Sequence, residues 1–231
     1  MFRSHGGKRA GAGRKQTRSA GRVVHRPRPA LASRHPVHVT LRVKDHVWNL
    51  RARRCFRHVA KAFRAATAAR EKRGFRLNEY SVQGNHLHLI VEAADAGRLA
   101  RGLQSLEIRI AKNVNKVMDT HGAVFAERYH AHILRTPAEV RNALAYVRGN
   151  FTVHAQRRGE PAPSRPDDCS SVALVGGKLP DEDGPPLVSP ARTWLLAIGW
   201  LRAAGTAVAA QALQPAMLQW NGSRPSAAAG R

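Results

Sequence analysis

The chain has 231 residues, of which 39 are Lys or Arg and 15 are Asp or Glu, so its formal net charge is +24. This balance excludes an acidic solvating protein and favours a polyanionic partner. Its two distant cysteines, Cys55 and Cys169, argue against a disulfide framework and favour a reducing compartment. No apolar stretch reaches the length of a membrane span or of the core of a secretory signal.

The positive charge lies mainly in an N-terminal arm and in the middle of the chain. Residues 1–35 contain ten Lys or Arg and no acidic residue, interleaved with Gly and Pro, so we expect a disordered basic arm. Residues 36–160 hold 23 basic against 10 acidic residues and carry the periodic segments. Residues 161–231 are nearly neutral and rich in Pro, Asp and Gly, which predicts a C-terminal extension of linker and one short helix at 192–204.

Seven segments of the middle part show the periodicity of strands or helices. Gly74 provides a stop for the first helix. Thr136, Pro137 and Glu139 have the order of N-cap, N1 and N3 residues, which predicts the start of the last helix. In chain order, the segments are a strand at 38–43, a helix at 53–72, strands at 75–83 and 85–92, a helix at 97–118, a strand at 129–134 and a helix from 137 to about 150 or a little beyond.

This order of elements predicts an α+β fold. Its first six segments match the ferredoxin-like split βαβ pattern, in which two helices cover one face of a four-stranded antiparallel sheet. The seventh segment is an extra C-terminal helix that carries Tyr146, and the second face of the sheet is open for it.

The strand at 85–92 contains the most informative pattern, in which His86 and His88 flank Leu87. Because alternate side chains point to opposite faces and the apolar set must face the helices, both histidines stand on the open face. Two imidazoles at this spacing can bind one metal ion, whereas two surface histidines or two base-stacking side chains are the alternative. The other polar residues predicted on this face are His38, Thr40, Arg42, Glu92, His130 and His132; of these, Glu92 would orient a histidine or remain solvated.

The last helix has a polar stripe beside its apolar stripe of Val140, Leu144, Val147 and Phe151. Tyr146 lies in the polar stripe, with polar neighbours one turn before and one turn after it. Of the three tyrosines, Tyr146 has the best setting for a nucleophile, whereas Tyr129 faces the helices and is expected to pack. The Asn150 amide is a candidate third metal ligand; an ordinary surface tyrosine is the alternative for Tyr146. The polar stripe consists of Asn142, Tyr146, Asn150 and His154.

These motifs resemble those of the single-tyrosine HUH transposases, and most closely those of their REP-associated tyrosine transposase branch. The HUH motif, two histidines around a bulky hydrophobic residue, is similar to His86, Leu87 and His88 within GNHLHLIVEA. The family's tyrosine helix has an amide residue four positions after the tyrosine, as in Tyr146 and Asn150. The resemblance covers roughly residues 36–155. Two positions depart from the family's helix: Gly149, and Phe151, where many relatives have Pro.

The resemblance implies metal-dependent nicking and strand transfer of single-stranded DNA, as in DNA transposition. Tyr146 would attack a phosphodiester and form a 5′-phosphotyrosine, and His86, His88 and Asn150 would hold a divalent ion, Mg or Mn. It also implies single-stranded or hairpin DNA as a partner, a homodimer, and a bacterial cytoplasmic, nucleoid-associated location. The residues expected to contact DNA are Arg42, His130, His132 and Arg135 in the folded part and Lys8, Arg9, Arg14 and Lys15 in the arm.

Two other functions remain open at this point. A ferredoxin-like sheet can bind single-stranded nucleic acid without chemistry, although that mode usually needs exposed aromatic residues, which make up only 6% of this chain. A metal-dependent hydrolase that uses a pair of histidines is the second alternative, and such enzymes usually require more ligands on a larger barrel. A covalent protein–DNA adduct would separate the first function from both alternatives.

Overall fold

A computed structural model of the chain describes residues 29–68, 74–157, 159, 161, 165–174 and 185–203. Most of the predicted basic arm therefore lies outside the described residues, together with its four candidate DNA contacts. The same holds for the predicted end of the first helix, at 69–72, and for residues 204–231.

One four-stranded antiparallel sheet has the strand order β2-β3-β1-β4, with α1 connecting β1 to β2 and α2 connecting β3 to β4. This is the predicted α+β fold with the ferredoxin-like order of elements, and that prediction is confirmed. The strands are β1 Val37–Arg42, β2 Phe75–Val82, β3 His86–Ala93 and β4 His130–Ile133; the helices between them are α1 Arg53–Ala68 and α2 Ala96–Met118.

The main core lies between the sheet and the pair α1 and α2. The alternate apolar side chains of β1 and β3 are buried there, as their period-two pattern predicts. The rings of Phe63 on α1 and Tyr80 on β2 are 4.7 Å apart between centroids and anchor the first helix to the sheet. Each fully buried side chain of this size stabilises the fold by about 1.5–3 kcal/mol. The buried residues of β1 and β3 on this face are Val37, Val39, Leu41, Leu87, Leu89 and Val91.

The opposite face of the sheet carries α3, Pro137–Arg157. The predicted capping box forms: the Glu139 backbone N–H donates to Thr136 Oγ1, and the Thr136 N–H donates to the Glu139 carboxylate, each at 3.2 Å. The helix runs through Gly149 and ends later than the position near Asn150 that the sequence suggests. It packs on the sheet through a second apolar cluster of Ile90, Leu134, Val140, Ala143, Leu144, Val147, Leu195 and Leu196.

The outer edge of β2 is covered by the chain that follows α3. The Val82 N–H donates to the carbonyl of Cys169 at 2.8 Å, and the Ser189 N–H donates to the carbonyl of Leu77 at 2.7 Å. An uncovered strand edge is a template for pairing with another chain, so these contacts protect the sheet on this side.

The helix predicted over 192–204 is wrong as a single continuous element. The chain instead forms α4, Trp194–Ala197, and then a short 3-10 helix, Gly199–Ala203. Ile198 separates the two with a φ of −138° and a ψ of −39°, which is not a helical backbone conformation. No helix within the described part of the chain combines the length and apolar character needed to cross a membrane.

Glu92 is a buried anchor for this segment, which corrects the expectation that it orients a histidine or remains solvated. Only 1% of the residue is exposed. Its carboxylate accepts the backbone N–H of Arg192 and of Thr193, the N-cap of α4, at 3.0 and 2.7 Å. Arg76 Nε donates to it at 3.1 Å and Asn78 Nδ2 at 3.3 Å. One carboxylate thereby ties β2, β3 and α4 together.

Replacing Glu92 by Ala should therefore cost about 3–5 kcal/mol of unfolding free energy, because the Arg76 charge and buried N–H donors lose their acceptor. Urea denaturation measures this loss. The matched control is Glu127→Ala, at an exposed carboxylate whose side chain is 53% accessible, which should change stability by less than about 0.5 kcal/mol. Equal stability of the two variants would contradict the anchoring role.

Candidate active site

Tyr146 of α3 and His88 of β3 meet on the face of the sheet that α3 covers. The Tyr146 hydroxyl lies 3.3 Å from His88 Nε2. The two rings are 4.9 Å apart between centroids and nearly perpendicular, at 86°. Tyr146 remains 48% exposed, whereas His88 is only 5% exposed. A tyrosine oxygen that solvent can reach thus stands beside an enclosed imidazole of the same chain.

The pairing register of the strands determines what surrounds His88. Thr40 of β1 and Ser81 of β2 are its direct cross-strand neighbours. The Thr40 hydroxyl Oγ1 lies 3.2 Å from His88 Nδ1. Because a metal-binding histidine usually donates its second ring N–H to a fixed acceptor, Thr40 is suited to hold His88 with Nε2 directed at a ligand. Period-two alternation places Thr40 on this face, but nothing in the sequence predicts this contact.

His86 stands beside His88, with 4.8 Å between ring centroids and an angle of 85° between the planes. Its Nδ1 lies 2.8 Å from the side-chain Oδ1 of Asn85, which favours the tautomer in which Nδ1 carries the proton. Two imidazoles this close are able to share one ion.

Asn150 lies one turn beyond Tyr146 on α3 and is only 2% exposed. Its Nδ2 is buried and makes no hydrogen bond to any described residue. Buried amide groups are nearly always paired, and the two amide atoms can exchange by a flip of the side chain, so Asn150 fits a ligand position. Within the described ranges, no three His, Cys, Asp or Glu side chains converge on a possible ion site. The candidate donor set is therefore two imidazoles and one amide, with phosphate or water oxygens to complete it.

His38 of β1 is the third imidazole near this centre. Its ring centroid is 5.4 Å from that of His88 and 5.8 Å from that of Tyr146. Burial, and secondarily the nearby His132, lower the pKa of His38, which keeps it neutral at pH 7. Its buried Nε2 has no hydrogen-bond partner among the described residues. The sequence places His38 on this face but gives no sign that it contacts both rings.

The other two tyrosines are poorly placed for nucleophilic attack. Tyr80 is fully buried in the main core, and burial raises its pKa well above the ordinary value. Tyr129 is partly buried and packs against the same core, as its position in the strand pattern predicts. Tyr146 is the tyrosine that combines exposure with neighbouring imidazoles.

The four described residues that are predicted to contact DNA lie around this centre or just after β4. Arg42 is exposed and pairs in register with His86. His130 and His132 are exposed on the edge strand β4, opposite Thr40 and His38 of β1, and His130 Nε2 lies 3.5 Å from the Glu127 carboxylate. Arg135 is exposed just after β4. Their role in DNA binding stays a prediction.

A cleft beside His86 was missed by the sequence reasoning. Its volume is about 390 Å³. Phe151, predicted in the apolar stripe of α3, is absent from the second apolar cluster and instead lies 4.4 Å beneath the Arg51 guanidinium. The loop before α1 has no periodic signal that could have indicated this contact. The cleft is lined by Asn49, Arg51, Gln83, Gly84, Asn85, His86 and Phe151.

No family model and no curated protein matches this chain. Two solved structures are similar to it in fold. One is a REP-associated tyrosine transposase bound to a REP hairpin, with 14% sequence identity and a TM-score of 0.46 over 56% of this chain and 73% of that chain. The other is a protein from Deinococcus radiodurans R1 described as a transposase, with 12% identity and a TM-score of 0.36 over 64% of this chain and 100% of that chain.

Proposed function

We propose that this chain is a transposase-like enzyme that nicks and rejoins single-stranded DNA through Tyr146. The observation that carries the proposal is the 3.3 Å distance between the Tyr146 hydroxyl and His88 Nε2, next to the ring of His86. A nucleophile of the right type, two imidazoles and a buried amide thus lie on one face of one sheet. The net charge of +24 favours a nucleic-acid substrate.

The sheet itself disfavours the alternative of a binding module without chemistry. Such modules stack unpaired bases on aromatic residues of their strands. The aromatic residues of the four strands are Phe75 and Tyr80, and both are buried. Tyr80 packs against Phe63 on the helix side of the sheet. The histidine face therefore offers no Phe, Tyr or Trp of its strands to a base, and its central histidine, His88, is only 5% exposed.

The proposed reaction is a transesterification in which the number of bonds is conserved. The Tyr146 oxygen attacks the phosphorus, a new P–O bond to Tyr146 forms, and the P–O bond to the 3′ oxygen breaks. Tyr146 gives up its hydroxyl proton and the 3′ oxygen gains one, so the products are a 5′-phosphotyrosine and a free 3′-hydroxyl. Because the phosphodiester is retained on the enzyme, the reverse reaction rejoins strands without an external energy source.

The residues around Tyr146 position this step. The contact with His88 Nε2 places the tyrosine oxygen beside the position that an ion on this nitrogen would take, and Thr40 fixes His88 from the other side of its ring. An ion bound to Nε2 would replace the hydrogen bond from Tyr146. A divalent ion, Mg or Mn, bound by His86, His88 and Asn150 would polarise the scissile phosphate as a Lewis acid. Arg42 stands next to His86 in register, where its charge would offset that of the phosphoryl oxygens.

The arrangement also bears on the oligomer. The contact between Tyr146 and His88 lies within one chain. The homodimer and the cytoplasmic, nucleoid-associated setting are parts of this proposal.

The test of the proposed function is a denaturing gel of the protein with labelled hairpin oligonucleotides that carry randomised single-stranded flanks, in Mg or Mn. We expect a covalent adduct with the single-stranded forms and none with the same flanks annealed as duplex, because unstacking a duplex costs a few kcal/mol. Equal rates on duplex and single strand would overturn the mechanism. Retention of DNA without any adduct would favour the binding module.

Thr40→Val should weaken Mn²⁺ binding by about 10–100-fold, because His88 loses the hydroxyl that orients it while side-chain volume is preserved. Isothermal titration calorimetry with Mn²⁺ measures the change. The matched control is Thr40→Ser, which keeps a hydroxyl and should bind Mn²⁺ nearly as wild type does. If the Val and Ser variants bind equally, Thr40 does not support the ligand.

A further inference from the structure

We infer that the cleft beside His86 holds one unpaired base of the DNA and prefers thymine to the other three bases, with Asn49 as a specificity-determining residue. This inference rests on the proposed function and names a feature of its substrate. The cleft lies between α3, the loop before α1 and the turn between β2 and β3. His86 lines this cleft, and its ring stands 4.8 Å from that of His88, which contacts Tyr146, so a strand whose phosphate is held at these side chains would also reach the opening.

The cleft has the size and the wall that an unpaired base requires. Its volume of about 390 Å³ lies in the range of small-molecule sites. The Arg51 guanidinium lies 4.4 Å from the centroid of the Phe151 ring, which gives a planar stacked wall. Unpaired bases stack on such guanidinium planes and aromatic rings.

Arg51 is held rigidly in this wall. Its two terminal nitrogens donate to the Asp167 carboxylate at 3.0 and 2.7 Å, and one of them also donates to the Val82 carbonyl at 3.0 Å. Asp167 is buried, so the ion pair is largely shielded from solvent. Since Asp167 balances its charge, Arg51 contributes mainly a fixed plane and little net attraction for phosphate.

Two amide side chains present hydrogen-bond donors to the cleft. Asn49 Oδ1 accepts the backbone N–H of Arg51 at 2.9 Å, and Asn85 Oδ1 faces His86 Nδ1 at 2.8 Å. With both oxygens engaged, the two Nδ2 groups are the amide atoms that remain, and neither donates a hydrogen bond to any described residue. Both asparagines are exposed, so their donors are accessible from the opening.

Gln83 adds an acceptor to the wall of the cleft beside these donors. It is only 5% exposed, and its Nε2 donates to Ser81 Oγ at 2.8 Å. The amide oxygen of Gln83 is then the group left to meet a base. Thymine has a ring N–H between two carbonyls and so matches one acceptor with two donors. Guanine has an amino group in place of the second carbonyl, and adenine and cytosine have an unprotonated ring nitrogen beside an amino group, so each of these bases leaves polar groups unpaired.

The experiment uses full-length Tyr146→Phe protein, which holds DNA without cutting it. The probe is a hairpin oligonucleotide with eight randomised unpaired nucleotides on each side of its stem, and retained molecules are sequenced. We expect one unpaired position at which T exceeds each of the other bases by about tenfold, the discrimination of one good set of base-edge hydrogen bonds.

Asn49→Asp in the same background tests the assigned donor. The aspartate keeps an oxygen for the Arg51 N–H and replaces the Nδ2 donor by an acceptor, so the preference at that position should shift from T towards G, whose amino group then meets the new acceptor. Gln104→Glu is the matched control, since it makes the same change of charge at an exposed position of α2. Equal melting temperatures of the two variants show that Asn49→Asp is folded.

Two results would overturn the inference and leave the proposed function standing. One is a T preference that Asn49→Asp does not change, and the other is retained DNA without any position-specific preference. The wild-type adduct assay is performed separately in both cases. It therefore distinguishes an incorrect assignment of the cleft from an incorrect assignment of the reaction. Absence of both retention and adduct would overturn the two together.

Discussion

Tyr146→Phe should form no covalent DNA adduct and lose cleavage by several orders of magnitude, as expected when a nucleophile is removed. The change deletes one hydroxyl and its 3.3 Å contact with His88, while the ring keeps its packing beside His88 and His38. Because Tyr146 is 48% exposed, we expect stability to change by less than about 0.5 kcal/mol. DNA affinity, measured by filter binding or anisotropy, should stay nearly unchanged.

The control for this variant is Tyr129→Phe. Tyr129 packs against the main core and should not form a covalent bond with DNA, so its variant is expected to form the adduct as wild type does. Proteolysis of the wild-type adduct and mass spectrometry should place the nucleotide on the peptide that contains Tyr146. An adduct that survives in Tyr146→Phe would move the nucleophile to another residue, with Tyr129 the next to examine.

Replacing both His86 and His88 by Ala should abolish metal-dependent cleavage and remove Mn²⁺ binding in calorimetry. The two imidazoles are the nitrogen donors of the candidate metal site, and one amide with phosphate oxygens would not retain the ion at micromolar concentration. His88 is only 5% exposed beneath α3, so its removal opens a small cavity and should cost about 1–3 kcal/mol of stability. Circular dichroism at low temperature checks that the variant is still folded.

The chain offers a matched control for this pair on a neighbouring strand. His130 and His132 of β4 have the same spacing and share the sheet face, but both are exposed and lie opposite Thr40 and His38. Their double Ala variant should keep Mn²⁺ affinity. Equal Mn²⁺ affinity in wild type and in the His86 and His88 variant would remove the metal assignment, and loss only in the β4 variant would transfer it there.

Local periodicity was sufficient to predict the architecture. Side chains alternate along a strand and recur every three to four residues along a helix, so apolar spacing alone separates the two faces of β1, β3 and β4. The same rule placed both histidines of β3 on the face opposite α1 and α2. The start of α3 could also be predicted from neighbouring residues, since the side chains of Thr136 and Glu139 accept each other's backbone N–H groups within a single turn.

Contacts between distant segments escaped the sequence reasoning. Glu92 alternates with the histidines and so was placed correctly on their face, yet its environment depends on Arg192 and Thr193, about a hundred positions later. Phe151 fits an apolar stripe by spacing, but it lies under Arg51 from the loop before α1. No local sequence pattern predicts either contact, because both depend on how segments without regular secondary structure pack against the sheet.

The candidate site likewise has features that local sequence patterns predict and features that only the packing of distant segments decides. The sequence by itself determined the chemical groups and their faces: two imidazoles on β3, and a tyrosine with an amide one turn later on the last helix. Only the tertiary structure decided that Tyr146 meets His88 at 3.3 Å and that Thr40 holds the other side of that ring. The reason is physical, since the position of α3 across the sheet follows from the burial of Ile90, Val147 and Leu195 together. These residues belong to three separate elements, and periodicity within one element does not specify how it packs against the others.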